Sequence, residues 1–498
     1  MSFTLLPFQQ ECVDLLVDQP DVIIGDDMGL GKTIEGIALD QARRKKYPGV
    51  KLRTLVIAPM SVVSSWEDHF NRGQPELSTF VLDRKNREAF LKAVTAGTYD
   101  VYILHWDVVR LLPELAKFNW FHIIADEAHR VANRAAQVTI RSKKLKRTYL
   151  TELTGTPCLT RPEQFWSLLN WSKPRVFTSF HRFFNHHVIY VQHSKGDYCK
   201  AVVNGFICGK EHKNNFKVII GIADENTLLN EIRPYYIRRL KEEVLKDLPE
   251  KYYTQVNVDL DPQQRKVYLQ MRDAMLAWVG ANEDQPLAAP MAIAKLVRLQ
   301  QLACAYAKID MIQVKKRDPD TGEFVLIDKE RVTLIEPSSK LDAAMEILRD
   351  NPEKQFVIFS QSKQVINLLA ARLKAKNISH GILTGDTEQA DRGRMVEAFQ
   401  NGELQVFAGT IQAGGVGITL TAASTVIFLD RSWSPAINRQ AEDRLHRIGQ
   451  KSAVQVIDIV ARGTIDAGRL QKIEKNWQFI KKLLGDKDAK TKPEGAYI

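Results

Sequence analysis

Short β-branched runs alternate with longer helical stretches twice along this chain, and that alternation limits the fold more than any other feature. The first series holds VII (22–24), LVIAP (55–59), VYIL (101–104), HIIAD (122–126) and TYLTELTGTP (148–157); the second, from about residue 355, holds FVIFS, GILTG, LQVFAG, TVIFLD and VQVIDIV. Strands separated by helices need crossover connections, so each series reads as a parallel sheet wrapped by helices. Two α/β lobes are therefore expected. Between them, roughly 162–340 is mostly helical by pattern, with strand-like insertions at 188–210 and 309–329; the second centres on DPDTGE, a strong hairpin signal.

The bulk numbers agree with several folded units. With 498 residues, 44% hydrophobic and 26% charged, the chain is long enough for more than one core. Its net charge of +11 makes polyanions the expected partners. The five cysteines show no regular spacing, which fits reduced thiols. His193, Cys199, Cys208 and His212 match no standard zinc spacing. No basic stretch followed by a long apolar run opens the chain, and no apolar run approaches 18 residues, so neither a secretory signal nor membrane insertion is expected.

Chemistry enters at the end of the first strand. Gly25-Asp-Asp-Met-Gly-Leu-Gly-Lys-Thr33 leads into IEGIALDQARRKK, a glycine-rich turn between strand and helix. Such a turn points backbone N–H groups at phosphate oxygens, and the helix N-terminus adds its positive end. Asp27, Gly29 and Gly31 would form the cradle, Lys32 would reach the outer phosphates, and Thr33 would hold magnesium. Asp26 stands where the generic pattern has glycine. Further on, the strand FHIIAD ends in Asp126-Glu127-Ala-His129. Adjacent carboxylates at a strand end can divide the work, Asp126 holding the metal and Glu127 serving as general base.

Together DDMGLGKT, DEAH and LTGTP (153–157) resemble motifs I, II and III of superfamily-two helicases, in the Swi/Snf branch, and the resemblance runs from Leu6 to about Gly463. It implies two RecA-like lobes, ATP and Mg2+ as cofactors, and double-stranded or forked DNA as partner. Leu6-Pro-Phe-Gln9 resembles the Q motif, which implies that Gln9 contacts adenine; LVIAPMSVVSSWEDHF (55–70) matches motif Ia, whose Pro59 and Ser61 would meet nucleic acid. FVIFSQ, LTGDT and GTIQAGGVGITLTAASTVIFLD look like motifs IV, IVa and V, implying backbone contacts from Ser360, Gln361, Thr384, Gly385 and Thr410 and a nucleotide contact from Gly415. Gln440-Ala-Glu-Asp-Arg-Leu-His-Arg-Ile-Gly-Gln450 resembles motif VI. Gln440 would face the nucleotide, and Arg444 and Arg447, three apart on one helical face, would neutralise the transferring phosphoryl group. Ile237-Arg-Arg-Leu-Lys-Glu-Glu-Val244 with Leu248-Pro-Glu-Lys251 resembles the connection between the lobes that distinguishes this branch.

These expectations divide the chain into a first lobe over 1–248, a second over 249–470, and a brace helix with a polar tail over 471–498. LTRPEQFW, ASTVIFLDRSWSP and QAEDR look closest to the fork-remodelling, strand-annealing members. A bare motor of this kind resembles bacterial or phage-encoded proteins, which implies a monomer recruited by a protein partner and working in the cytoplasm at the nucleoid, or in the nucleus of a eukaryote. The rival readings are a strand-separating DNA or RNA helicase and a nucleic-acid-binding scaffold with a vestigial ATPase.

Overall fold

The computed structural model describes residues 4–484 apart from 84–85, 158–162, 196–198, 201, 204–205, 208–214, 282–288, 318–322 and 416. In the first lobe β1 (Asp21–Ile24), β2 (Thr54–Ala58), β3 (Thr79–Val81), β4 (Val101–His105), β5 (Asn119–Asp126) and β6 (Lys146–Leu153) lie parallel. The chain then leaves the sheet. Its excursion carries the antiparallel pairs β7 (Val188–His193) with β10 (Phe216–Ile222) and β8 (Val202–Val203) with β9 (Phe206–Ile207). It returns through β11 (Tyr236–Ile237), which completes the order β11-β1-β6-β5-β2-β4-β3. Helices on both faces explain why β2 is apolar from Leu55 to Ala58. Leu55 and Ile57 pack into one core, Val56 and Ala58 into the other, and all four are fully buried.

The second sheet is built from β12 (Lys251–Val258), β15 (Phe356–Ser360), β16 (His380–Leu383), β17 (Val406–Thr410), β18 (Thr425–Phe428) and β19 (Val454–Ala461), in the order β12-β19-β18-β15-β17-β16, again all parallel. Between β12 and β15 a ribbon projects, β13 (Tyr306–Arg317) against β14 (Phe324–Ile335), with Arg317 opposite Phe324. The pairing is that of the expected hairpin; the DPDTG residues of its turn lie outside the described residues. So do Cys208, His212 and the polar tail 486–498.

Four strands had no counterpart in the sequence pattern: β3, β10, β11 and β12. β3, β11 and β12 lie at the edges of the two large sheets, where strands are short or carry polar residues and the apolar signal fades, and β10 extends the first insertion past residue 210 to pair with β7. β12 moves the start of the second sheet to Lys251, inside the stretch read as a helical connection. The last helix, Ile465–Leu484, begins six residues before the expected boundary. Its first turn is fixed to the second lobe, where Ile465 N donates to Tyr268 Oη at 2.8 Å, and its far end sinks Trp477, Ile480 and Leu484 into the core of the first lobe. Each such burial stabilises by about 1.5–3 kcal/mol. The helix therefore ties the two lobes together. Among the described residues no helix is long and apolar enough to cross a membrane.

Candidate active site

The carboxyl ends of β1 and β5 face the second lobe across a cleft, and the two motifs expected to bear the chemistry stand there. After β1 the chain turns through Gly29 and Gly31, both near φ +86°, a conformation glycine adopts without steric cost. Gly31 caps the helix Lys32–Arg44, whose N-terminus opens on the cleft. Lys32 Nζ rests on the carbonyls of Asp26 (2.6 Å) and Asp27 (3.1 Å). At the end of β5, Glu127 is forced to φ +51°, left-handed for a residue with a side chain. Such a position costs about 1–2 kcal/mol and turns the chain sharply at the strand end. Asp126 is held by Trp66, whose Nε1 donates to Oδ2 at 2.9 Å, and by Glu127 N, which donates to Oδ1 at 2.9 Å. Trp106 is buried and donates to the Asp126 carbonyl at 2.7 Å, so it anchors this strand end.

A cavity of about 240 Å³ lies between these elements and the second lobe. Gly29, Gly31, Lys32, Thr33, Asp126 and Glu127 line one side; Arg444 and Arg447 line the other. The arginines do not lie on a helical face. The motif VI helix stops at Glu442, and both side chains come from the turn that follows, with Arg444 Nη1 3.4 Å and Arg447 Nη1 3.5 Å from the Ile418 carbonyl. At its end the carboxylates of Glu442 and Asp443 pair with Lys251 and Lys241. Gln440 crosses the cleft and donates from Nε2 to Glu127 Oε1 at 2.8 Å.

The remaining candidates stand further back. Gln9 is buried behind the loop: Oε1 accepts from Leu6 N at 3.0 Å and Nε2 donates to the Leu30 carbonyl at 2.9 Å, so it props up the cradle. Asp27 faces a smaller cavity of about 90 Å³ beside Lys241. Gly415 ends a short helix with its N–H on Ile411 O, and the cleft position expected of it belongs to Gly417. His69, Gly417 and Thr419 line the cavity without having been singled out, and so does Trp66, recognised in the sequence only as part of motif Ia. Trp66 and Gly417 lay inside recognised motifs, but nothing in their spacing says which face of the fold they meet.

Electrostatics separates the two carboxylates. Burial and the neighbouring Glu127 push the Asp126 carboxyl up to about 6. Burial also pushes Glu127 up, but the opposing pull of His129, Lys32 and Arg444 prevails and its carboxyl ends below the usual range. Glu127 is thus ionised at neutral pH. Two adjacent half-buried carboxylates lining the same cavity as Thr33 make a hard oxygen donor set whose charge a divalent cation would relieve, so the residues fit magnesium. Burial and Arg447 lower Arg444 to about 10, which leaves it charged at neutral pH.

A SNF2-related domain matches residues 8–307, and a helicase conserved C-terminal domain matches 339–449. The chain belongs to the SNF2-related family. It is 29% identical over 485 residues to the "Probable ATP-dependent DNA helicase CHR23" of Arabidopsis thaliana, covering 95% of this chain and 42% of that protein. An "Uncharacterized ATP-dependent helicase" of Mycoplasma pneumoniae is 28% identical (93% and 40%), and the "Transcription regulatory protein SNF2" of Saccharomyces cerevisiae 27% (95% and 27%). The chain spans less than half the length of these relatives.

This SNF2 chain carries a second cleft on the other side of the lobe contact. Pro59 and Ser61 from motif Ia, Gln361 from motif IV, Gly385 from motif IVa and Thr410 from motif V line one groove of about 510 Å³. Arg130, Lys363 and Arg392, not singled out from the sequence, line it too. Two candidates are corrected by burial. Ser360 is fully buried, its hydroxyl donating to Asp430 Oδ1 at 2.6 Å; Thr384 is 5% exposed, its hydroxyl accepting from Asp386 N within its own turn. Both shape their loops and neither reaches the groove. Between groove and cavity stands Gly417, at φ +76°, where an added Cβ would come within 2.2 Å of Val62 Cγ1 in the first lobe.

Proposed function

We propose that this chain is an ATP-hydrolysing motor that moves along double-stranded DNA. The observation that carries the reading is the divided cavity: loop and base on one lobe, arginine pair on the other, facing each other across about 240 Å³. Lys32 and the helix N-terminus would bind the outer phosphates, with Thr33 and Asp126 holding magnesium, which when bound neutralises phosphate charge. Glu127, ionised and oriented by Gln440 and His129, would take the proton from the attacking water. Arg444 and Arg447 would stabilise the charge that develops on the transferring group, an effect worth ~10³–10⁵ in rate for arginines delivered this way. Because the two sets ride on different lobes, turnover would need closure and product release would permit opening.

DNA as the track is supported by the groove and by relatives named as DNA helicases. Small polar groups, exposed backbone and three cations suit phosphate contacts that ignore sequence. Within this class we infer a preference for forked DNA and a role in fork remodelling or strand annealing, on the segments 159–166, 423–435 and 440–444. ATP turnover measured side by side with single-stranded, duplex and forked DNA and duplex RNA tests the reading. Strongest stimulation by forks is expected; equal turnover with and without nucleic acid would overturn the motor, and release of a labelled fork strand by the protein alone would make it a strand-separating helicase.

A further inference from the structure

The basic segment before β12 lies between the two halves of the cleft. Arg238 Nη1 donates to the carbonyls of Gly25 at 2.7 Å and Gly155 at 3.3 Å, and Arg239 forks onto the fully buried carboxylates of Asp26 and Glu35. With β11 paired to β1, these bonds make 236–239 part of the body that carries the phosphate loop. Two residues later Lys241, only 5% exposed, crosses to the second lobe. Its Nζ lies 2.7 Å from Asp443 Oδ1 and donates to the His446 carbonyl at 2.7 Å. Asp443 directly precedes Arg444, and His446 directly precedes Arg447. One ammonium thus holds the residue before each arginine. The contact is tight on the loop side as well: a Cβ built on Gly29 would lie 3.0 Å from Arg447 Cβ and 3.4 Å from Lys241 Cε.

We propose that Lys241 is a positioning residue that seats the arginine pair against the phosphate loop, so that the two halves of the site meet in one register at each closure. The proposal rests on the ATPase reading of this cleft. A lysine–aspartate pair suits a contact that must form and break repeatedly. Desolvation offsets much of its attraction when closed, and water takes over both charges when open, so it sets register without locking the lobes. Lys251 and the Pro249 carbonyl hold the same turn from its own lobe, Lys251 at 2.9 Å from Glu442 Oε2 and 3.7 Å from Asp443 Oδ1 and Pro249 at 2.8 Å from His446 Nε2; among the described residues Lys241 makes the ion pair that reaches it from the first.

The test uses the full chain with Lys241→Met, which keeps the aliphatic stem, and Lys241→Arg, which keeps the charge. Dyes on cysteines at the exposed positions Glu88 and Lys374 report lobe separation by energy transfer. Lys241→Met should lower kcat about 10–100-fold while KM and the affinity for a fluorescent ATP analogue stay within about threefold, and it should shift the nucleotide-free protein toward lower transfer. Lys241→Arg should restore most of both. Wild-type kcat in Lys241→Met, or nucleotide affinity lost together with turnover, would overturn the proposal. Should the unsubstituted protein turn over no ATP, the ATPase reading itself fails; the transfer measurement then decides Lys241 alone, and an unchanged distribution overturns it.

Discussion

The two clefts between the lobes are built on opposite plans. In the smaller cavity the central side chains are held in place: Asp126 by Trp66, Glu127 by Gln440, Lys32 by two backbone carbonyls. In the larger groove the lining is open. Met60 is 56% exposed, Gly385 and Arg130 are exposed, and Lys363 pairs with the exposed Asp386, while Arg392 alone of its cations is set against backbone carbonyls, those of Thr387 and Thr384, among the described residues. The difference fits the roles proposed for the two clefts. Stabilising charge that exists only during reaction requires donors fixed beforehand, whereas gripping a regular polyanion requires charge and surface that tolerate sliding.

The largest effect should come from the braced side. Glu127→Gln should cut DNA-stimulated turnover ~10²–10⁴-fold with nucleotide affinity nearly unchanged, measured by phosphate release and by binding of a fluorescent ATP analogue. Turnover within tenfold of wild type would remove Glu127 from the role of base. Next comes the contact that separates the clefts. Gly417→Ala places a methyl group against Val62 and asks for φ +76°, so DNA stimulation should fall ~3–30-fold while basal turnover changes less. Equal loss of both would mean that the two clefts are not coupled through this contact. On the open side, Lys363→Ala with Arg392→Ala should weaken duplex binding about uniformly across sequences and reduce the salt dependence of log Kd by about 2, one per cation. An unchanged salt slope would place the DNA elsewhere.

The smallest effect concerns stability behind the braced side. Burial pushes the Glu152 carboxyl, on β6 next to motif III, up to about 8 against an ordinary 4.5, so the folded state holds its proton more tightly than the unfolded one. The stability this supplies is complete below about pH 4.5 and disappears as pH rises through about 8. Glu152→Gln, which keeps the bond from Ser172, should therefore melt about 2–5 °C higher than wild type at pH 8.5 and closer to it at pH 5, by thermal unfolding. A gap that does not grow with pH would show that Glu152 is ionised in the fold.

Much of this architecture was legible in the chain. Apolar runs at helix-length intervals point to two parallel sheets, because strands buried on both faces are mostly apolar and must be linked by crossovers. The glycines before Lys32 and the carboxylates after HIIA announce their chemistry, since few local sequences place N–H groups and anions at strand ends. Tertiary structure alone decided which residues at equal distance from these motifs reach the cleft. Ser360 and Gln361 are neighbours, yet one is spent on Asp430 and the other lines the groove. Gly415 and Gly417 share a motif, yet only the second meets the first lobe. Arg444 and Arg447 lie past the end of their helix, and the carboxylates just before them, Glu442 and Asp443, pair with lysines about 200 residues away in the chain. Sequence periodicity encodes how each element faces its nearest layer; which side chains meet across a cleft depends on the relative placement of two bodies with their own sheets, and no local pattern carries that information.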